Sequence, residues 1–296
     1  MSPAGAAATL LAGLVDYAGL FPPAALAMDD AVARYARHRA APERGMLGRF
    51  VVPAPRLAEF VAAVDRLPHG APTPRDPWAC AVLAGPADAP TLRDVSARFG
   101  ECLRVDVVEA KATDAAGIAD LVGVFGPDVT VYVELPAAPD PAPHIAALAR
   151  HGFRAKLRTG GVTADAIPTP AEVLRFLAAC VAAGVAFKAT AGLHHPVRGE
   201  YPLTYAPDSP RATMHGFLNV FLAAAFLHAG VPSAEVAPLL EERDPAAFRA
   251  EGDGLAWRGL RCSRAELVAF RRTCAASFGS CSFEEPVHEV AALALT

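Results

Sequence analysis

A chain of 296 residues with 53% apolar side chains and a formal charge of −4 is long enough for one large α/β domain and rich enough to fill its core, which excludes a mainly disordered chain. Acidic and basic residues are interspersed, so the positive stripe that DNA or RNA would need is missing and nucleic acid is not an expected partner. The apolar N-terminal stretch has its first basic residue only at Arg34, unlike a secretory signal, and the apolar run Phe217 to Leu227 is too short for a bilayer; a cytoplasmic protein without a membrane partner is the expectation.

Short apolar runs rich in β-formers alternate with longer helical patterns, the signature of βα units around a parallel sheet. In chain order the expected strands are residues 13–19, 46–52, 78–85, 102–108, 129–136, 153–161, 185–192 and 276–283. Between them lie segments such as DDAVARYARHRA, RLAEFVAAVDRL, DPAPHIAALARHG and TPAEVLRFLAACVAAG, with apolar residues three and four apart. Eight strands with intervening helices predict a single (β/α)8 barrel, the TIM barrel, over residues 1–296. The regularity breaks at about 197–273, read as a helical insertion between strands seven and eight. Within it MHGFLNVFLAAAFLHAG reads as the seventh barrel helix, SAEVAPLLEERDPAAFRAEGD and SRAELVAFRRTCA as additional helices, and LAWRGLRC as a short hairpin.

Barrel enzymes carry their chemistry at the C-terminal ends of the strands. Polar residues at such positions are Asp16 after the first strand, Asp106 and Glu109 on the fourth, Glu134 ending the fifth, Lys156 and Arg158 on the sixth, and Lys188, His194 and His195 on or after the seventh. The lysines stand out because only three of 27 basic residues are lysine, at positions 111, 156 and 188. Where any cation would serve, this sequence writes arginine, so a lysine inside an apolar strand suggests a need for an amine. Lys156 and Lys188 are each followed by Thr and Gly, whose backbone N–H groups can face an anion. Two amines converging in a barrel mouth would repel as cations, leaving one neutral enough to attack a carbonyl.

These segments resemble the deoxyribose-phosphate aldolase group of class I aldolases. Lys156, Thr159 and Gly160 match that group's K-x-x-T-G motif for the Schiff-base lysine. Lys188, Ala189, Thr190, Ala191 and Gly192 approximate its second-lysine motif. The resemblance implies that Asp106, in VDVV, is the proton-transfer partner, that LVDYAGLFPPAALAMDD is the first strand and its loop, and that Gly279 and Ser280 in FGSCSF occupy the place of the phosphate-binding strand. Arg158 stands where the group has a small residue, the 197–273 insertion has no counterpart, and FGSCSF runs on into Glu284 and Glu285.

The expected function is therefore a Schiff-base lyase, aldolase-like or dehydratase- or decarboxylase-like, on a small anionic carbonyl compound. Lys156, Lys188, Asp106 and Glu134 are the expected catalytic residues. Asp16, Arg158, Thr159, Gly160, Gly161, Thr190, His194, His195, Gly279 and Ser280 are expected to bind substrate. An alternative is a divalent-metal-dependent lyase or isomerase with His194, His195, Glu134, Asp16 and Glu284 as possible ligands, although no HxH or HExxH is present. A non-catalytic small-molecule-binding barrel is a second alternative. His215 and Asn219, four apart on one helix face, are read as packing residues, and the six cysteines, without a CxxC pair, as buried thiols. No P-loop, GxGxxG or GxSxG motif is present, so no cofactor is expected. The partner is a small-molecule substrate, and a homo-oligomer is left open.

Overall fold

Eight parallel strands close on themselves in the computed structural model, which describes residues 5–136, 140–293 and 295. They are Val15–Tyr17, Leu47–Pro53, Trp78–Leu83, Leu103–Lys111, Thr130–Leu135, Arg154–Arg158, Phe187–Thr190 and Ala275–Ser280. Each pairs with its neighbours in sequence order, and the last pairs with the first. The protein is a (β/α)8 barrel, and every expected strand overlaps an observed one.

Helices return the chain between strands and bury one face on the barrel. Pro170–Ala183 shows how the local sequence sets its limits. Thr169 and Glu172 form a capping box at its start, and Gly184, at φ 63°, closes it in the left-handed conformation. Val173, Phe176, Leu177 and Cys180 are its buried stripe. Together with the short turn before it, residues 164–183 are long and apolar enough to cross a membrane by length and composition alone. The α-helical part has 14 residues, about 21 Å at 1.5 Å per residue, against roughly 30 Å of bilayer hydrocarbon.

Side chains alternate between the two faces of each strand. Those facing outward join the main core between barrel and helices, while Val51, Ala81, Val107 and Tyr132 form a second, smaller cluster inside the barrel. The interior thus holds these apolar side chains beside charged ones.

The insertion departs from its expected helical character. The seventh barrel helix, Phe217–His228, is where the sequence places it, and Arg264–Thr273 forms the expected helix before the last strand. The stretch 233–253, however, contains a single helical turn, Ser233–Val236, then two 3-10 turns and the strand Phe248–Glu251. Pro238 and Pro245 each remove a helical N–H, and Glu242 holds the chain open by accepting from the amides of Arg243 and Asp244 and from Trp257 and Arg258. Phe248–Glu251 adds to the hairpin Gly254–Trp257 with Leu260–Ser263, making a three-stranded antiparallel sheet. A second hairpin, Gly199–Pro202 with Arg211–Met214, was not expected from the sequence.

Candidate functional site

Register brings the charged residues together. Glu134, Lys156 and Lys188 lie at one level on three adjacent strands, each the direct partner of the next. With a side-chain period of two, all three point into the barrel. Glu109, from the fourth strand, reaches the same layer and sits between the two amines. Lys156 Nζ is 2.7 Å from Glu109 Oε2 and 2.9 Å from Glu134 Oε2. Lys188 Nζ pairs with Glu109 Oε1 and lies 2.7 Å from Asp16 Oδ2. Glu134 Oε1 accepts from Arg158 Nε at 3.1 Å, and Asp16 also accepts from Ser277 Oγ at 2.6 Å and from the Arg49 amide at 2.7 Å. The result is a row of alternating charge, Asp16, Lys188, Glu109, Lys156, Glu134, Arg158.

Every member except Arg158 is largely buried, so each charge relies on its neighbours in place of water. Burial alone would push Glu109 up, but Lys188 and Lys156 draw it down to about 2. Burial would likewise lower Lys188, yet Asp16 and Glu109 raise it above the ordinary lysine value. Lys188 is therefore a fixed cation. The repulsion between two amines expected from the sequence does not govern this site, because a carboxylate separates them.

Only one of the two lysines is reachable. A cavity of about 260 Å³ opens above the row, lined by Lys156, Glu109, Arg158, Thr190 and Gly279, with Phe21 and Pro22 of the first loop forming part of its wall. Lys188 lies beneath Glu109 at 1% exposure, its amine 5.7 Å from the Tyr132 ring centre. The cavity is slightly smaller than the range usual for drug-sized ligands, which suits a molecule of a few carbons.

Asp106 does not join the cluster. Strands three and four slip by one residue between Cys80 and Ala81, which pair with Val105 and Val107, so Asp106 is the extra residue of a bulge. Its carboxylate pairs with Arg49 at 3.1 Å and with Arg104 at 3.7 Å, and it lines a separate depression with Arg93, Ser96 and Asp128 near the start of the strands. The fourth-strand acid beside the lysines is Glu109.

The remaining expected residues divide by role. Thr159 Oγ1 donates to the carbonyl of Ala191 at 2.6 Å, tying the loops after strands six and seven. Gly160 and Gly192 allow those loops to touch, since a Cβ on Gly192 (φ +77°) would come within 2.9 Å of Gly160 Cα. Gly161, Thr190, His194 and Gly279 line the cavity. Ser280 is buried behind His194, with Oγ 3.5 Å from its Nδ1. His195 stacks on Tyr201 at 3.5 Å, pairs with Glu289 at 2.8 Å, and faces a smaller cavity of about 100 Å³ adjoining the first.

The side chains considered as metal ligands go to separate partners, His194 to Glu285, His195 to Glu289, Asp16 to Lys188 and Glu134 to Lys156. Among the described residues no three His, Cys, Asp or Glu side chains converge as an ion site. His215 and Asn219 are structural, as read. Asn219 Nδ2 donates to the carbonyls of Leu239 and Glu242, and burial lowers His215 to about 4. All six thiols are free, and five are buried.

Sequence reasoning gave Glu109 no catalytic role and missed Tyr205, which reaches Glu285 from the unexpected hairpin. For Glu109 the signal was its place at the strand end; for Tyr205 there was none.

Fold and site together define a (β/α)8 barrel with a charged, accessible cavity at the C-terminal ends of its strands. Set against protein-family models, curated proteins and solved structures, the chain matches none.

Proposed function

We propose that the protein is a Schiff-base lyase acting on a small carbonyl compound with an anionic end. The observation that carries this reading is the Lys156 amine at the cavity wall, held between Glu109 and Glu134. To attack a carbonyl, the ammonium must first give up a proton. Glu134 is the better acceptor, because it is less deeply buried than Glu109 and one of its two cations, Arg158, is half-exposed to water, whereas both ammonium groups on Glu109 are buried. The amine adds to the carbonyl carbon, Glu134 returns the proton as water leaves, and an iminium remains on Lys156. Its nitrogen can then accept the electron pair of the carbon–carbon bond that breaks, while the proton of the β-hydroxyl passes to Glu134 and that hydroxyl becomes the carbonyl of the departing fragment.

Arg158, half-exposed at the rim, has its Nε on Glu134 and one outer nitrogen 3.5 Å from the Gly160 carbonyl, and it lines the cavity, where an anionic substituent can be met. Lys188 and Asp16 act as positioning residues that fix Glu109. The test is borohydride reduction in the presence of candidate aldehydes and ketones, followed by peptide mass analysis. A covalent adduct on Lys156 is the expected result. Absence of an adduct on Lys156 with every carbonyl compound that binds would overturn the proposal.

A second reading draws on the same ion pairs. A Lys156 ammonium between Glu109 and Glu134 would stabilise an enolate without a covalent step. Such an enzyme would exchange a substrate α-proton with deuterated water while leaving no borohydride adduct.

A further inference from the structure

The smaller cavity beside His194 belongs to the same mouth. It shares Pro22, Gly161, Ala191 and His194 with the cavity over Lys156 and adds Leu203, Tyr205, Met214 and Glu285. His194 stands at the junction. Its Nδ1 lies 3.1 Å from Glu285 Oε2, and Tyr205 donates to that same oxygen at 2.9 Å. Among the described residues, Oε1 of Glu285 has no hydrogen-bond partner. Burial would push Glu285 up, but the His194 and Tyr205 hydrogen bonds lower it, so it carries a negative charge at neutral pH.

Two of the amides that might otherwise cradle an anion here are already used. Ser280 Oγ accepts from the Ser282 amide and Ser282 Oγ from the Glu285 amide. Glu284 and Glu285 occupy the first turn of helix Glu284–Ala292, where they compensate its positive end. A phosphate brought to this wall would meet the negative charge of Glu285. A hydroxyl would meet an open acceptor.

We propose that Glu285, fixed by His194 and Tyr205, is a specificity-determining residue that takes a hydroxyl on the end of the substrate remote from Lys156 and rejects a phosphate there. This rests on the reading of Lys156 as the imine-forming residue, and it narrows the substrate class to unphosphorylated hydroxy-carbonyl compounds. Any anionic group is then a carboxylate near Arg158, which lines the cavity over Lys156 but not the smaller one.

The experiment compares borohydride labelling of Lys156 by D-erythrose, D-erythrose 4-phosphate and propanal, in the wild type, Glu285→Gln and Tyr205→Phe. The wild type is expected to label about tenfold faster with erythrose than with its phosphate, the discrimination one well-placed hydrogen bond supplies. Glu285→Gln should slow erythrose labelling by about the same factor and leave propanal within about twofold, because propanal has nothing to offer the far wall. Tyr205→Phe, which leaves the helix untouched, should change the erythrose rate in the same direction by less. Faster labelling by the phosphate, or an erythrose-to-propanal ratio unaltered in Glu285→Gln, overturns the proposal.

If no carbonyl labels Lys156, the imine reading fails alone. The far wall is then judged by calorimetric titration with erythritol and erythritol 4-phosphate, neither of which can form an imine. Erythritol binding that is lost in Glu285→Gln upholds the assignment of Glu285; tighter binding of the phosphate, or no dependence on Glu285, removes it.

Discussion

The two ends of the barrel both carry ion pairs, and they use them differently. Near the strand starts, Arg49 and Asp106 pair at 3.1 Å with about a third of each side chain exposed. At the strand ends, Lys188, Glu109, Lys156 and Glu134 are nearly sealed. Water can share the stabilisation of the first pair, so that pair contributes little and could be replaced cheaply. The second set cannot fall back on water, and apolar residues of similar volume would often serve stability as well or better. Four buried charges at the end where barrel enzymes react, with a cavity opening onto Lys156 and Glu109, are the arrangement on which the proposed chemistry rests.

Replacing one member at each end tests that contrast. The largest effect is expected from Lys188→Met, which leaves Asp16 and Glu109 buried without their shared cation. A loss of about 3–5 kcal/mol in urea unfolding is the expected cost of an uncompensated buried charge. A loss under about 1 kcal/mol would show that water reaches the row and that the contrast is false. Lys156→Met should abolish borohydride labelling altogether while costing less stability, since Glu134 keeps Arg158 and Glu109 keeps Lys188 as counter-charge.

Acid sharpens the contrast further. Glu109 is drawn down to about 2 in the fold, whereas an unfolded chain would protonate it near 4.3. A depressed carboxyl stabilises the fold above its unfolded value, so this contribution is intact above about pH 4.3 and disappears as pH falls towards 2. The unfolding midpoint should drop through that window, and Glu109→Gln should flatten the drop. An unchanged slope in the variant would mean that another carboxylate controls it.

Gly192→Ala is expected to have an intermediate effect. It forces a side chain at φ +77° against Gly160, at a cost of about 1–3 kcal/mol for such strain, and it should slow labelling of Lys156 by shifting the loops that frame the cavity. The smallest effect belongs to Asp106→Asn. Its exposed pair should be worth less than about 1 kcal/mol, with Lys156 labelling unchanged within about twofold. Strong loss of labelling in Asp106→Asn would return that residue to the site.

Much of this was legible in the residues. The alternation of strand and helix patterns located all eight barrel strands, because each is a short apolar run bounded by breakers. The scarcity of lysine singled out Lys156 and Lys188, and the common register of strands six and seven brings them to one level. Asp106 took its expected role from the resemblance, which takes no account of the bulge between strands three and four, and nothing local in VDVV announces one. The insertion misled because helical spacing in 233–253 was read without weighing Pro238 and Pro245 or the strand pairing that Gly254–Trp257 offers. Tyr205 was out of reach for a different reason, since its partner Glu285 lies 80 residues away.

The hairpin that carries Tyr205 separates two kinds of change. The lysines and carboxylates stand on strands locked to neighbours on both sides, where any shift disturbs the whole ring. The hairpin is paired only to itself and spans the stretch before helix Phe217–His228, whose entry is held by Asn219 Oδ1 accepting from the Arg198 amide. Its tip, between Pro202 and Arg211, can lengthen, shorten or change residues without the barrel registering the event. A lineage carrying this fold can therefore reshape the wall around Tyr205 while inheriting the charged row unaltered.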